Sequence, residues 1–338
     1  MRATASLLAG LLAAAAAGCG GHHAARAPAH AKARTARPSP SPAPSAGGRR
    51  PARLRIAVRR VGRLPAPLQL PAVTPLAGGG VLVAGGLTAA DTSAGAVLRF
   101  GGSGAARAVG TLPAPLHDAA AATLDGRAYL FGGGNFGSSA AILRLRPRGA
   151  PRTVGRLPAA ASDVAAAAVG RVAYVVGGFT GAAALHSIVA FTPGRRARAV
   201  ASLPHGLRYA AVAAVGGAVL VAGGTTGLRA DRAVLRFDPA GGRVRRIGTL
   251  PRPLTHAAGA ALDGRFLVIG GRGANEGSQT RQILSIDPRT GHVAVAGRLP
   301  IALSDVGAAP VPGGVLAIGG RDARGRAQAT ILRLEAQR

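Results

Sequence analysis

The sequence predicts an all-β protein, a closed ring of six four-stranded antiparallel blades, and three observations predict it. A Leu-Pro pair recurs at Leu64, Leu112, Leu157, Leu203, Leu250 and Leu299, in steps of 45 to 49 residues. A Gly-Gly pair closes an apolar run at Gly85, Gly132, Gly177, Gly223, Gly270 and Gly319, 20 or 21 residues after each Leu. No segment sustains the 3.6-residue apolar period that a helical solenoid needs. Two coupled landmarks repeated six times at this period predict a six-bladed β-propeller.

Each repeat supplies its strands in the same order. A run of small residues such as DAAAATL (118–124) gives the first strand. Asp125-Gly126 and Asp263-Gly264 then mark two-residue hairpins, because Gly takes positive φ freely and Asp tolerates it. Apolar segments ending in Gly-Gly, AYLFGG (128–133) and FLVIGG (266–271), give the second strand. VLRF (97–100), ILRL (142–145), IVAF (188–191), VLRF (234–237), ILSI (283–286) and ILRL (331–334) give the third. Basic stretches with Val or Ile, RTVGRLP (152–158) and RRIGTLP (245–251), give the fourth. The sixth repeat ends after its third strand, while residues 53–62 have only fourth-strand character. Those ten residues are therefore expected to pair with 331–334 and close the ring, which leaves no exposed sheet edge.

The Gly-Gly pairs and the strand endings Phe237-Asp238-Pro239 and Ile286-Asp287-Pro288 resemble the Kelch family, of galactose-oxidase central-domain type. The resemblance spans residues 53–338, with aliphatic or basic residues where Kelch blades carry a Tyr and a Trp. It implies a binding or scaffold module, or a sugar-processing enzyme such as a sialic-acid mutarotase-like epimerase. A copper-radical oxidase of that fold needs a Cys–Tyr crosslink, and the one cysteine, Cys19, stands outside the repeats.

Residues 1–19 read as a positive start at Arg2, an apolar run from Leu7 to Ala17 and a small-residue cleavage site before Cys19. This segment resembles a bacterial lipoprotein signal, with Ala16 where Leu is usual; Cys19 is then the lipidated residue. An exported, membrane-anchored protein facing away from the cytoplasm is expected. Residues 20–52 carry no large apolar side chain and no acid, so they are expected to form a disordered spacer before the 53–338 propeller. His22, His23 and His30 within it read as a solvated tail rather than a metal tract. No cofactor or metal is expected.

The net charge is +30, from 42 basic residues of which only Lys32 is a lysine. The arginines are spread through every repeat, as a GC-rich coding bias would leave them, and only 3% of residues are aromatic. That scarcity of stacking platforms argues against a nucleic-acid partner. A polyanion-binding role is kept as an alternative to a protein, peptide or glycan partner, and a monomer is expected.

One register concentrates polar chemistry. Six residues after the Leu of each Leu-Pro stand Leu70, Asp118, Asp163, Tyr209, His256 and Asp305. Three of only 12 acids fall there, among neighbours that are mostly Ala and Val. The register opens the innermost strand, so one residue per blade should ring the central axis on the face that carries the Leu-Pro loops. His117 and Arg208 stand beside it. These seven polar residues, Asp118, Asp163, Tyr209, His256, Asp305, His117 and Arg208, form the candidate ligand site. The same register has a purely structural reading, in which its polar groups satisfy backbone and channel waters. No catalytic residue is assigned.

Overall fold

The computed structural model describes residues 54–146 and 149–337. Cys19, the 1–19 signal segment and the 20–52 spacer lie outside the described residues. No helix among the described residues is long and apolar enough to cross a membrane. The chain forms six blades of antiparallel strands. The first comprises Ala72–Pro75, Val81–Ala84, Ala96–Phe100 and Arg107–Thr111, from the axis outward. The fifth comprises Ala258–Leu262, Arg265–Ile269, Thr280–Ile286 and Val293–Ser304. In the sixth, Gly307–Val311, Gly314–Ile318 and Thr330–Ala336 are followed by Ile56–Arg63 as the outermost strand. Ile56 pairs with Ala336 and Arg63 with Thr330, with a bulge between Arg60 and Gly62.

Burial explains the ring. Six apolar clusters form, one between each pair of neighbouring blades. The cluster joining the sixth blade to the first packs Leu316, Ile318 and Ile331 against Val81, Val83 and Phe100. Phe100, Phe191 and Phe237, each at or next to the end of a third strand, are fully buried between blades. Phe191 meets Tyr129 and Phe131 edge-on, at centroid distances of 5.5 and 5.6 Å. Toward the axis the blades converge, and small side chains such as Ala120, Ala122, Ala211 and Ala213 predominate. Aromatic side chains thus help fill four of the six wedges, aliphatic ones alone fill those between the first and second and between the fifth and sixth blades, and alanines occupy the narrow ends.

The Gly-Gly landmark has a specific cause. In all six repeats its first glycine has φ between 61 and 64°. A Cβ there would overlap a carbonyl oxygen of the next blade, such as that of Leu254 opposite Gly223. The second glycine donates its N–H to that same carbonyl, as Gly224 does to Leu254 at 2.8 Å and Gly320 to Leu68 at 2.9 Å. Each pair is therefore where one blade docks by backbone onto its neighbour, too close for any side chain. At Asp125-Gly126 and Asp263-Gly264 both residues have positive φ, the conformation of a tight hairpin turn.

Candidate functional site

The six residues of the axial register share one backbone conformation. Leu70, Asp118, Asp163, Tyr209, His256 and Asp305 all lie at φ between 53 and 60°. They stand where the Leu-Pro loop turns into the innermost strand; in the second blade the strand itself starts at His117. Their peptide groups link head to tail around the axis. Tyr209 donates its N–H to Asp163, His256 to Tyr209, Asp305 to His256 and Leu70 to Asp305, at 2.8 to 3.2 Å. Asp and His accept left-handed backbone more readily than most residues, so part of the acid enrichment serves the backbone. Leu70 and Tyr209 gain nothing of that kind and hold a conformation that costs them about 1–2 kcal/mol each.

The side chains converge. All six line an axial cavity of about 110 Å³ on the face that carries the Leu-Pro loops. At the other end the channel is walled by Ala, Val and Pro from the innermost strands, with Thr74 and Thr123 hydrogen-bonded at 2.8 Å. The Tyr209 hydroxyl donates to Asp118 Oδ2 at 3.0 Å, while Asp118 Oδ1 has no hydrogen-bond partner among the described residues. His117 Nε2 lies 3.5 Å from the same carboxyl, and its Nδ1 is 2.9 Å from the Ser93 hydroxyl. Arg208 pairs with Asp163 and stacks its guanidinium on Phe179, 4.1 Å from the ring centroid. Tyr209 and His256 stack at 3.8 Å. Ser304 donates its hydroxyl to Asp305. Among the described residues no group of His, Cys, Asp and Glu is arranged to hold a metal ion.

These surroundings shift the titrating groups. Burial, then the negative charge of Asp163, holds the Asp118 carboxyl well above the usual range. Burial raises Asp305 to about 6, with the Ser304 hydroxyl and the Arg272 and Arg321 guanidiniums restraining the rise. Burial, then Arg272 and Arg208, depresses His256 to about 3. Burial, then Asp118 and Asp163, raises Tyr209. At neutral pH His256 is therefore an uncharged imidazole. The Arg272 guanidinium, 3.4 Å from Nε2, can only donate. Nε2 accordingly accepts, and Nδ1 donates to the Thr255 hydroxyl at 3.0 Å.

Stability should record these shifts with opposite signs. The folded chain binds the Asp305 proton more tightly than the unfolded chain, so that contribution falls as pH rises from about 4 to about 6. It binds the His256 proton more weakly, so that contribution grows between about pH 3 and 6.5. Asp305→Asn, which still accepts from Ser304, should exceed the parent in stability above pH 6 by on the order of 1–3 kcal/mol. His256→Gln should flatten the rise between pH 3 and 6.5. Chemical denaturation across this pH range measures both, and an unchanged difference between Asp305→Asn and parent would refute a buried, raised carboxyl.

Above the ring the mouth widens on one side. A cleft of about 480 Å³ is lined by Tyr209, His256 and Asp305 from the ring and by Gln69, Arg272 and Arg321 beside it. Asp91 and Glu276 also face it. Asp91 sits at positive φ and accepts from Gln69 at 2.9 Å, and Glu276 lies 3.8 Å from Arg321. The candidate ligand site read from the sequence did not include Asp91, Glu276, Arg272 or Arg321. The loops that carry Asp91 and Glu276 differ in length between repeats, so no register aligned those two. Arg272 and Arg321, by contrast, hold the place directly after Gly-Gly that Leu87, Gly134, Phe179 and Thr225 fill in other repeats. Gln69 and Ser304 occupy the position just before the ring register, as His117 and Arg208 do. Asp118, Asp163, His117 and Arg208 line or flank the central cavity rather than the wider cleft.

Residues 206–251, one full repeat, match the Kelch motif. Among curated proteins no sequence matches the chain. The solved structure described as "Structure of YjhT" superimposes with a TM-score of 0.69 at 17% identity, over 82% of this chain and 99% of that one. At that identity the likeness speaks for the fold alone.

Proposed function

We propose that this six-bladed propeller, with its Kelch motif, is a recognition module that binds a polar, hydroxyl-rich ligand such as a glycan at the axial mouth. The observation that carries the reading is the cleft of about 480 Å³ opening onto the ring, a volume in the range of small-molecule sites. It offers donors from Arg272 and Arg321, acceptors from Asp305 and Gln69, and the stacked faces of Tyr209 and His256. A sugar hydroxyl both donates and accepts, and its C–H faces pack on aromatic rings.

Binding is favoured over turnover because the axial carboxylates are already engaged within the protein. Asp163 is held by Arg208, Asp305 by Ser304 and Asp118 by Tyr209. A second reading, a sugar-processing enzyme, draws on the neutral His256 whose Nε2 lies 3.9 Å from Asp305 Oδ1. Two such groups can exchange a proton with a substrate. We place the protein outside the cytoplasm, tethered through Cys19, with the propeller carried beyond the spacer.

A glycan-array screen of the full chain at low and high salt tests the reading. Selective, salt-resistant binding is expected. Salt-sensitive binding without selectivity would point instead to the arginine surface, and conversion of a bound sugar to the second reading.

A further inference from the structure

A second groove of the propeller lies away from the axial mouth. It has a volume of about 630 Å³ and runs between the third and fourth blades. The third strand of the third blade, Ser187–Phe191, leads into a turn at Thr192, Pro193, Gly194 and Arg195. Arg195 N–H closes that turn on the Thr192 carbonyl at 2.9 Å, with Gly194 at φ 80°. In an antiparallel meander this turn falls on the face opposite the Leu-Pro loops. It leads directly into the outermost strand Arg198–Ser202. Arg195, Arg196 and Arg198 therefore all line the groove, and all three are exposed.

Among the described residues no carboxylate pairs with them, and no acid lines the groove. Asp238, next in sequence to the lining residues Phe237 and Pro239, accepts the Ala240 N–H at 3.2 Å and pairs with none of the three arginines. The neighbouring outermost strand, Arg243–Thr249, starts at the groove wall and adds Arg243, Arg245 and Arg246, all exposed. The floor is apolar, from Val172, Ala190, Val200 and Phe237, with Tyr174 among them. Three unpaired guanidinium forks above an apolar floor suit an anion with several oxygens on one centre, and phosphate presents them.

We propose that this groove binds a phosphate ester, its phosphate held by Arg195, Arg196 and Arg198. The ester is either a soluble metabolite or a phospholipid headgroup, and two probes separate them: glycerol phosphate in solution, and vesicles of phosphatidylglycerol in phosphatidylcholine. The full chain carrying Arg195→Gln, Arg196→Gln and Arg198→Gln is compared with a charge-matched chain carrying Arg107→Gln, Arg152→Gln and Arg156→Gln. Those three control arginines are exposed on the outermost strands of the first two blades. The groove variant should lose at least tenfold in affinity for one probe, and the control less than twofold. Loss confined to glycerol phosphate identifies a soluble ester; loss confined to vesicles identifies a headgroup. Equal losses in the two variants, or no binding of either probe by the parent, would overturn the proposal. Asp163→Asn with Asp305→Asn should leave this binding unchanged, so its outcome is separate from that of the axial site.

Discussion

Removing the outermost strand of the sixth blade, Ile56–Arg63, should unfold the whole propeller rather than loosen one edge. That strand pairs with Thr330–Ala336 along its length, and Ile56 packs into the cluster between the fifth and sixth blades. Its loss exposes the edge of the third strand and uncovers Leu332 and Leu334. Each blade is stabilised mainly by its two neighbours, so a weakened sixth blade also removes support from the first and fifth. A chain beginning at Gly62 should lose its cooperative thermal transition at temperatures where the parent is folded. A melting temperature within a few degrees of the parent would show that the ring does not depend on this strand.

The second large effect is expected at the blade junctions. Gly223→Val puts a β-branched residue at φ 62°, with its Cβ against the Leu254 carbonyl oxygen. The left-handed backbone alone costs about 1–2 kcal/mol. The blades must also separate there, which strains the 2.8 Å bond from Gly224 to Leu254. A total loss above about 3 kcal/mol is expected, since it combines strain with a broken buried contact. Gly227→Ala is the comparison, because no atom lies near its Cβ position although its φ is 106°. Denaturant midpoints should fall much further for Gly223→Val. Equal losses would mean that backbone conformation, not docking, explains the Gly-Gly pairs.

The blades were legible because close packing leaves marks in sequence. Leu64, Leu112, Leu157, Leu203, Leu250 and Leu299 are buried at equivalent places, and the Gly-Gly pairs mark backbone contacts that tolerate no side chain. The axial register was legible for a related reason: Asp118, Asp163 and Asp305 stand out against the alanines around them. Their left-handed backbone was not legible, because Leu70 and Tyr209 occupy the same conformation against their own preference. Nor was the lopsided cleft. It depends on Arg272 and Arg321, which follow Gly-Gly pairs directly and read in sequence as ordinary surface arginines. The extension of the fifth blade's outer strand through Leu299-Pro300 to Ser304 also broke the repeat grammar, and it places Ser304 against Asp305.

The measurement that bears most directly on the axial mouth is calorimetric titration of the best array ligand into parent and into Asp163→Asn, Asp305→Asn. Both substitutions keep a side-chain oxygen for Arg208 and Ser304 while removing the two charges from the ring. The recognition reading predicts at least a hundredfold loss of affinity with the thermal transition retained. An unchanged affinity in a folded variant would contradict it and return the ring to a role in the backbone alone.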